Sequence, residues 1–98
     1  MIEVTKTDDM IRLDGHAENK IVCAMVTALT IALVNDITSY LNEPLDCHVD
    51  DGEYQITGLS TLSEIGQHFL NAFWGNFEEL MRDYPKSFAY TTDQAGKS

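Results

Sequence analysis

The sequence predicts an α+β fold: two layers, a mostly antiparallel sheet with two helices on one face, in the order β-β-α-β-β-α-β. Three observations predict it. Short runs alternate apolar and polar side chains, two long runs repeat apolar residues at helical spacing, and a proline follows each long run. Strands with one apolar side and helices with one apolar stripe bury those surfaces by packing against each other in two layers.

Ile2 and Val4 face one way and Glu3 and Thr5 the other, which is the pattern of a strand. Thr7-Asp8-Asp9 turns the chain into a second short strand, Met10-Ile11-Arg12-Leu13, which Asp14-Gly15 ends. A long helix is expected from Asn19 or Lys20 to about Asn42, where Pro44 stops it. Its Ile21 to Val34 segment is apolar almost all round, interrupted by Thr27 and Thr30, so cover on most sides is expected. Ile37, Tyr40 and Leu41 then form a single apolar stripe. The apolar segment has fourteen residues, whereas crossing a bilayer takes about twenty. It reads as a core helix.

Leu45 to Asp50 and Glu53 to Gly58 form a hairpin around Asp51-Gly52, a favoured pair for a tight type I′ turn. A second helix opens on Thr61-Leu62-Ser63-Glu64, where Thr61 and Glu64 are spaced as a capping box. Its apolar stripe is Leu62, Ile65, Phe69, Phe73, Phe77 and Leu80, widened by Trp74 and Met81, and Pro85 marks its end. Ser87 to Thr91 alternates as a last strand. Residues 1–93 make one domain, and 94–98 a frayed tail.

The chain has 98 residues and a formal net charge of −10, from 16 acidic and 6 basic side chains. No basic stripe is present to displace counterions, which argues against nucleic acid and against anionic membrane surfaces. The acidity suits a basic partner, or it simply keeps a small protein soluble. Met1-Ile2-Glu3-Val4-Thr5-Lys6 lacks the charged-then-apolar pattern of a secretion signal, so a cytoplasmic location is expected. Cys23 and Cys47 are then expected to be reduced thiols. With no disulfide staple, a homodimer is one source of extra stability.

Cys23 lies about one turn inside the first helix, where the positive end of the helix favours a thiolate. Lys20 adds a positive charge three residues earlier. His16 follows Gly15 in the preceding turn, separated from the cysteine by six residues, close enough to fold back over the helix start. A histidine beside a cysteine is the minimal apparatus for nucleophilic acyl transfer, and the first-turn amides could receive the oxyanion. A cysteine on an apolar helix is also a good packing residue. The spacing alone serves both readings.

Gly15-His16-Ala17 followed by Ile21-Val22-Cys23-Ala24 resembles the ribosomal-processing cysteine protease (Prp) family, and the element order and length agree over nearly the whole chain. The resemblance implies Cys23 as nucleophile and His16 as general acid and base. Thr27 stands where the family's serine supplies a hydroxyl, and Gly15, Ala24 and Lys20 are supporting positions. It also implies a homodimer and no metal or organic cofactor. The chain is a divergent member: its His-to-Cys loop is shortened, the family's Gly-x-Asp element is missing, and Lys20 stands in the place of that Asp.

The implied activity is removal of a short N-terminal extension from a large-subunit ribosomal protein. The cut would follow an apolar, aromatic-containing segment and precede a small residue. A phage structural protein with a similar segment is a second possible substrate. The alternative is a degenerate, acidic binding protein on the same scaffold. Cys47 and His48 are neighbours on a strand and point to opposite faces, so they form no dyad. His68 falls off the apolar stripe, and Gly96-Lys97-Ser98 has no glycine-rich loop before it to cradle phosphate.

Overall fold

The N-terminal alternation becomes β1 (Ile2–Lys6), and the second run becomes β2 (Met10–Gly15), paired antiparallel with Val4 opposite Leu13. The hairpin is β3 (Asp46–Asp50) and β4 (Glu53–Thr57), and the last strand is β5 (Phe88–Thr92). They form one sheet in the order β3-β4-β2-β1-β5, antiparallel except for the parallel β1–β5 pair. This computed structural model describes residues 1–92, so the expected tail of 94–98 lies outside the described residues.

The helices are α1 (Lys20–Asn35), continued by a π-helical turn at Asp36–Tyr40, and α2 (Glu64–Asp83). The element order is the expected one, and the α+β architecture stands. The inner face of the sheet supplies Ile2, Val4, Ile11, Leu13, Ile56 and Phe88 to a core shared with both helices. Phe77 is fully buried there, 5.6–5.7 Å centroid to centroid from Phe73, Trp74 and Phe88. The opposite face is polar: Arg12 pairs with Glu53 (Nη2–Oε2 3.0 Å) and, more loosely, with Asp14 (3.4 Å) across exposed surface.

α1 corrects one expectation. It is buried along a single stripe, Val22, Val26, Thr30 and Leu33, and not on most sides. The opposite stripe, with Ile21, Ala24, Ala28 and Ile31, faces solvent, and Ile21 is 61% exposed. A helix on a one-sided sheet meets the core along one line, however apolar its other residues are. Thr30 is buried at no cost, because its hydroxyl donates to the Val26 carbonyl (2.7 Å). Counted through the π turn, Lys20–Tyr40 has the length (21 residues) and mean hydropathy (1.9) of a membrane span. Its inner stripe is nevertheless part of the domain core, so membrane insertion would take the core apart.

The expected α-helix to Asn42 also ends early. In the π turn the Leu41 amide donates to Asp36 (3.0 Å), one residue farther back than in an α-helix. The extra residue rotates the following side chains. Ile37 stays buried, Tyr40 is 74% exposed with its ring stacked on Phe69, and Asn42 leaves the helix at φ 57°.

The cap of α2 lies two residues beyond the expected one. Thr61 is used in a 3-10 turn (Leu59–Thr61), where its hydroxyl donates to the Gly58 carbonyl. Ser63 is the N-cap and accepts from the Gly66 amide (3.1 Å). With the helix phased from there, Ile65 is exposed, Phe69 is half-buried, and Leu70 joins Phe73, Phe77 and Leu80 in the core. The β3–β4 turn departs from type I′ as well. That form needs two residues of positive φ, and here only Gly52 (φ 70°) has one.

Two carboxylates tie these loops to the elements. Asp9 accepts from the Ser60 hydroxyl and amide, and Glu43 from the Ser63 hydroxyl and amide. The serine hydroxyl bonds, ahead of the amide bonds, hold both carboxyls below their ordinary values, 3.8 for Asp9 and 4.5 for Glu43. A lowered folded value makes each contribution complete above the ordinary value and lost as pH falls through the folded one. Urea denaturation of wild type and Glu43→Gln from pH 7 to pH 2 should therefore give a wild-type advantage that narrows below pH 4.5 and vanishes in strong acid. An advantage unchanged with pH would mean that the Glu43–Ser63 bond does not depend on the carboxylate charge.

Candidate active site

The helix start is built by Asn19. Its side chain accepts from the Ile21 amide (2.9 Å), and its carbonyl accepts from the Cys23 amide (3.3 Å). Two of the first-turn amides expected to receive an oxyanion are therefore engaged in the resting structure. Val22 and Val26 point into the core, and each following residue is turned by about 100°. Cys23 and Thr27 accordingly stand one turn apart on the flank of the helix, half-buried.

That flank faces a cleft of about 300 Å³ between α1, the end of β2 and the β3–β4 hairpin. Ile2, Leu13 and Val26 form its apolar part, and Gly15, His16, Cys23, Thr27 and Tyr54 bring polar groups and backbone to it. Asp50, Asp51 and Gly52 close the remaining side from the hairpin. The structure thus brings His16 and Cys23 to one cleft, with Gly15 and Thr27 beside them. Lys20 and Ala24 are not brought there; both are exposed on α1 outside the cleft lining. The phase of the helix that turns Cys23 inward turns Ala24 outward.

Gly15 shapes the loop that carries the histidine. Its φ is 109°, and a Cβ there would lie 2.5 Å from the Met1 carbonyl oxygen. The Gly15 amide donates to the Gly52 carbonyl (2.7 Å), and the Met1 nitrogen donates to the His16 carbonyl (2.5 Å). The backbone on both sides of His16 is therefore held while its ring remains largely exposed. Nε2 of that ring lies 3.7 Å from an Asp51 carboxylate oxygen.

The Cys23 thiol donates to the Ala17 carbonyl (3.5 Å), in the same loop. Opposite it, the Thr27 and Tyr54 hydroxyls share a hydrogen bond of 3.0 Å across the cleft. Sequence reasoning missed Tyr54, which reads as one more inward strand residue; its cross-strand position opposite Leu13 is what aims it at the helix. Cys47 lies beyond this cleft, exposed on β3 opposite Ile56 of the neighbouring strand, and partial desolvation there pushes its thiol's pKa up. His48 is exposed on β3, and His68 is exposed on α2. Among the described residues no cluster of three or more metal-ligating side chains occurs.

The profile of the family described as cysteine protease Prp matches residues 1–89. No curated protein sequence matches the chain. Among solved structures, the ribosomal processing protease Prp of Staphylococcus aureus, with a covalently linked product peptide, is similar at 24% identity and a TM-score of 0.79. That match covers 94% of this chain and 97% of the other. The same protease with a substrate peptide gives 22% identity and the same TM-score and coverage. SMU.848 of Streptococcus mutans is 27% identical with a TM-score of 0.73, covering 94% and 93% of the two chains.

The backbone at Gly15 gives a direct test. Gly15→Ala puts a side chain into a positive-φ residue and against a carbonyl oxygen. It should lower unfolding stability by more than about 1 kcal/mol in urea denaturation. Unchanged stability would show that the β2 end does not need this conformation.

Proposed function

The chain belongs to the cysteine protease Prp family, and from that premise we propose that it is an endopeptidase that uses Cys23 as nucleophile and His16 as general acid and base. The observation that carries the reading is the shared cleft. Seven positions apart in the sequence, the two side chains line one opening together with the paired Thr27 and Tyr54 hydroxyls.

In this reading the Cys23 thiol leaves the Ala17 carbonyl and gives its proton to His16. The resulting thiolate attacks the scissile carbonyl. His16 returns the proton to the leaving amine, and the first product departs with a free N-terminus. His16 then takes a proton from water, whose oxygen attacks the thioester, and collapse regenerates the thiol and releases the carboxylate product. The Thr27–Tyr54 pair carries two hydroxyl hydrogens and spends one on its own bond. The other is available to a substrate carbonyl.

The apolar part of the cleft suits an apolar, aromatic-containing segment ahead of the cut. The substrate we propose is the N-terminal extension of a large-subunit ribosomal protein, or a phage structural protein with a similar segment. The Prp structures with bound peptides support this choice of peptide ligand. Ribosomal proteins are basic, and the acidic chain would attract them. We place the reaction in the cytoplasm. The exposed apolar stripe of α1 is the surface we propose for a homodimer. The binding-protein alternative has one observation in its favour, the thiol's bond to Ala17 in place of the imidazole.

A synthetic peptide with an apolar, aromatic-containing segment followed by a small residue tests both readings. Cleavage should be lost in Cys23→Ala and His16→Ala, by at least about a hundredfold, with circular dichroism unchanged. A thiol-reactive electrophile at neutral pH should label Cys23, which His16 deprotonates in this reading, before Cys47, even though Cys47 is the more exposed thiol. Peptide binding without cleavage, equal in wild type and Cys23→Ala, would establish the binding protein instead.

The dimer has its own measurement. Sedimentation should give twice the chain mass for wild type and a monomer for Ala28→Glu, which puts a charge on the exposed stripe. A wild-type monomer at tens of micromolar would remove the dimer from this account.

A further inference from the structure

His16 is carried by a short loop, and its ring is largely exposed. A general base needs a defined ring direction and a defined tautomer, because only one nitrogen of a neutral imidazole can accept a proton. The packing of α1 provides neither, since the core holds Ala17 and Val22 but not the imidazole.

The β3–β4 hairpin meets this need in three ways. The Gly52 carbonyl binds the Gly15 amide at 2.7 Å, so the turn and the histidine loop move together. Gly52 lies against the Nε2 end of the ring: a Cβ there would come within 2.5 Å of Nε2 and 3.1 Å of both adjoining ring carbons. The Asp51 carboxylate stands 3.7 Å from the same Nε2. The first contact is backbone and holds the loop, while the second is space and the third is charge, and these two meet at Nε2 of one side chain.

We propose that the Asp51-Gly52 turn is the seat of the catalytic base, with Asp51 as its positioning residue. This rests on the His16–Cys23 reading and adds a third participant to it. Gly52 supplies the space the imidazole occupies. Asp51 draws the neutral ring's proton to Nε2, which leaves Nδ1 with the lone pair that accepts the Cys23 proton. After that transfer the carboxylate faces a cationic imidazolium. No net proton passes to Asp51 at any step. The pair is a contact at ion-pair distance in the free protein, and such contacts tighten when substrate closes the site. Asp51 is 97% exposed as a side chain, so water screens it. The expected gain is accordingly small, about two- to fivefold in rate.

Three variants test the seat, alongside Cys23→Ala as the control for the underlying reading. Asp51→Ala should lower kcat two- to fivefold with KM unchanged, and Asp51→Glu should restore part of the loss. Gly52→Asn retains the turn, because asparagine tolerates positive φ, yet its Cβ displaces the ring. It should fold with an unaltered circular dichroism spectrum and lose about ten- to a hundredfold in kcat. Nitrogen-15 spectra of the histidine-labelled protein, assigned with His16→Ala, should show neutral His16 protonated at Nε2 in wild type and as a mixture of tautomers in Asp51→Ala. If Cys23→Ala abolishes cleavage while Asp51→Ala and Gly52→Asn leave both kcat and the His16 tautomer as in wild type, the seat is wrong and the protease reading stands. If Cys23→Ala still cleaves, the protease reading itself falls.

Discussion

The fold and the site both depend on how α1 lies on the sheet. Its inner line of Val22, Val26, Thr30 and Leu33 packs against strands whose inward residues include Ile2, Leu13 and Ile56. Once that line is fixed, the helical repeat leaves no freedom for its neighbours. Cys23 and Thr27 must stand one step around the helix, at the boundary between core and solvent. A thiol deeper in the stripe would be a packing group closed to substrate, and one on the outer stripe would have no histidine near it. The boundary position reconciles access with a fixed direction.

The cleft is a product of chain crossings more than of any one element. β2 ends at a glycine whose amide reaches the hairpin, and the hairpin in turn stands opposite the first turn of α1. The central place of β2 in the sheet, between β1 and β4, is what carries its C-terminal end to that point. The loop with His16 therefore leaves the sheet at the one edge of the cleft from which it can reach the helix start. Small side-chain bonds at the far end of the domain, Asp9 to Ser60 and Glu43 to Ser63, secure the connections that bring the second helix back over the sheet.

The surface divides by function. The outer face of the sheet is charged, and the ion pairs of Arg12 lie in water, where such pairs contribute little stability. The outer stripe of α1 is apolar along Ile21, Ala24, Ala28 and Ile31, so the all-round apolar character of that segment is not explained by core burial alone. Polar residues would serve an isolated helix on a one-sided sheet equally well at those positions. The second copy proposed above would be a physical reason for them to be apolar.

Much of this was legible in the residues. Alternation marked β1, β2, the hairpin and β5, the two helices showed in their spacing and closing prolines, and Gly15, His16 and Cys23 stood out as candidates, which the structure brings to one cleft. Each of these follows from short-range properties: side-chain period, backbone preference and the chemistry of a residue type. The errors came where a local pattern had more than one solution. Ser63 and Thr61 could each cap α2, and the π turn broke a period that otherwise continued to Leu41. Which line of α1 would be buried, and that Tyr54 and the Asp51-Gly52 turn would meet His16 and Thr27, could not be read at all. Those contacts join residues 27 to 36 positions apart. They arise only when the sheet order and the seating of one helix place distant segments together, because packing of the whole domain, and not local preference, sets where separate elements meet.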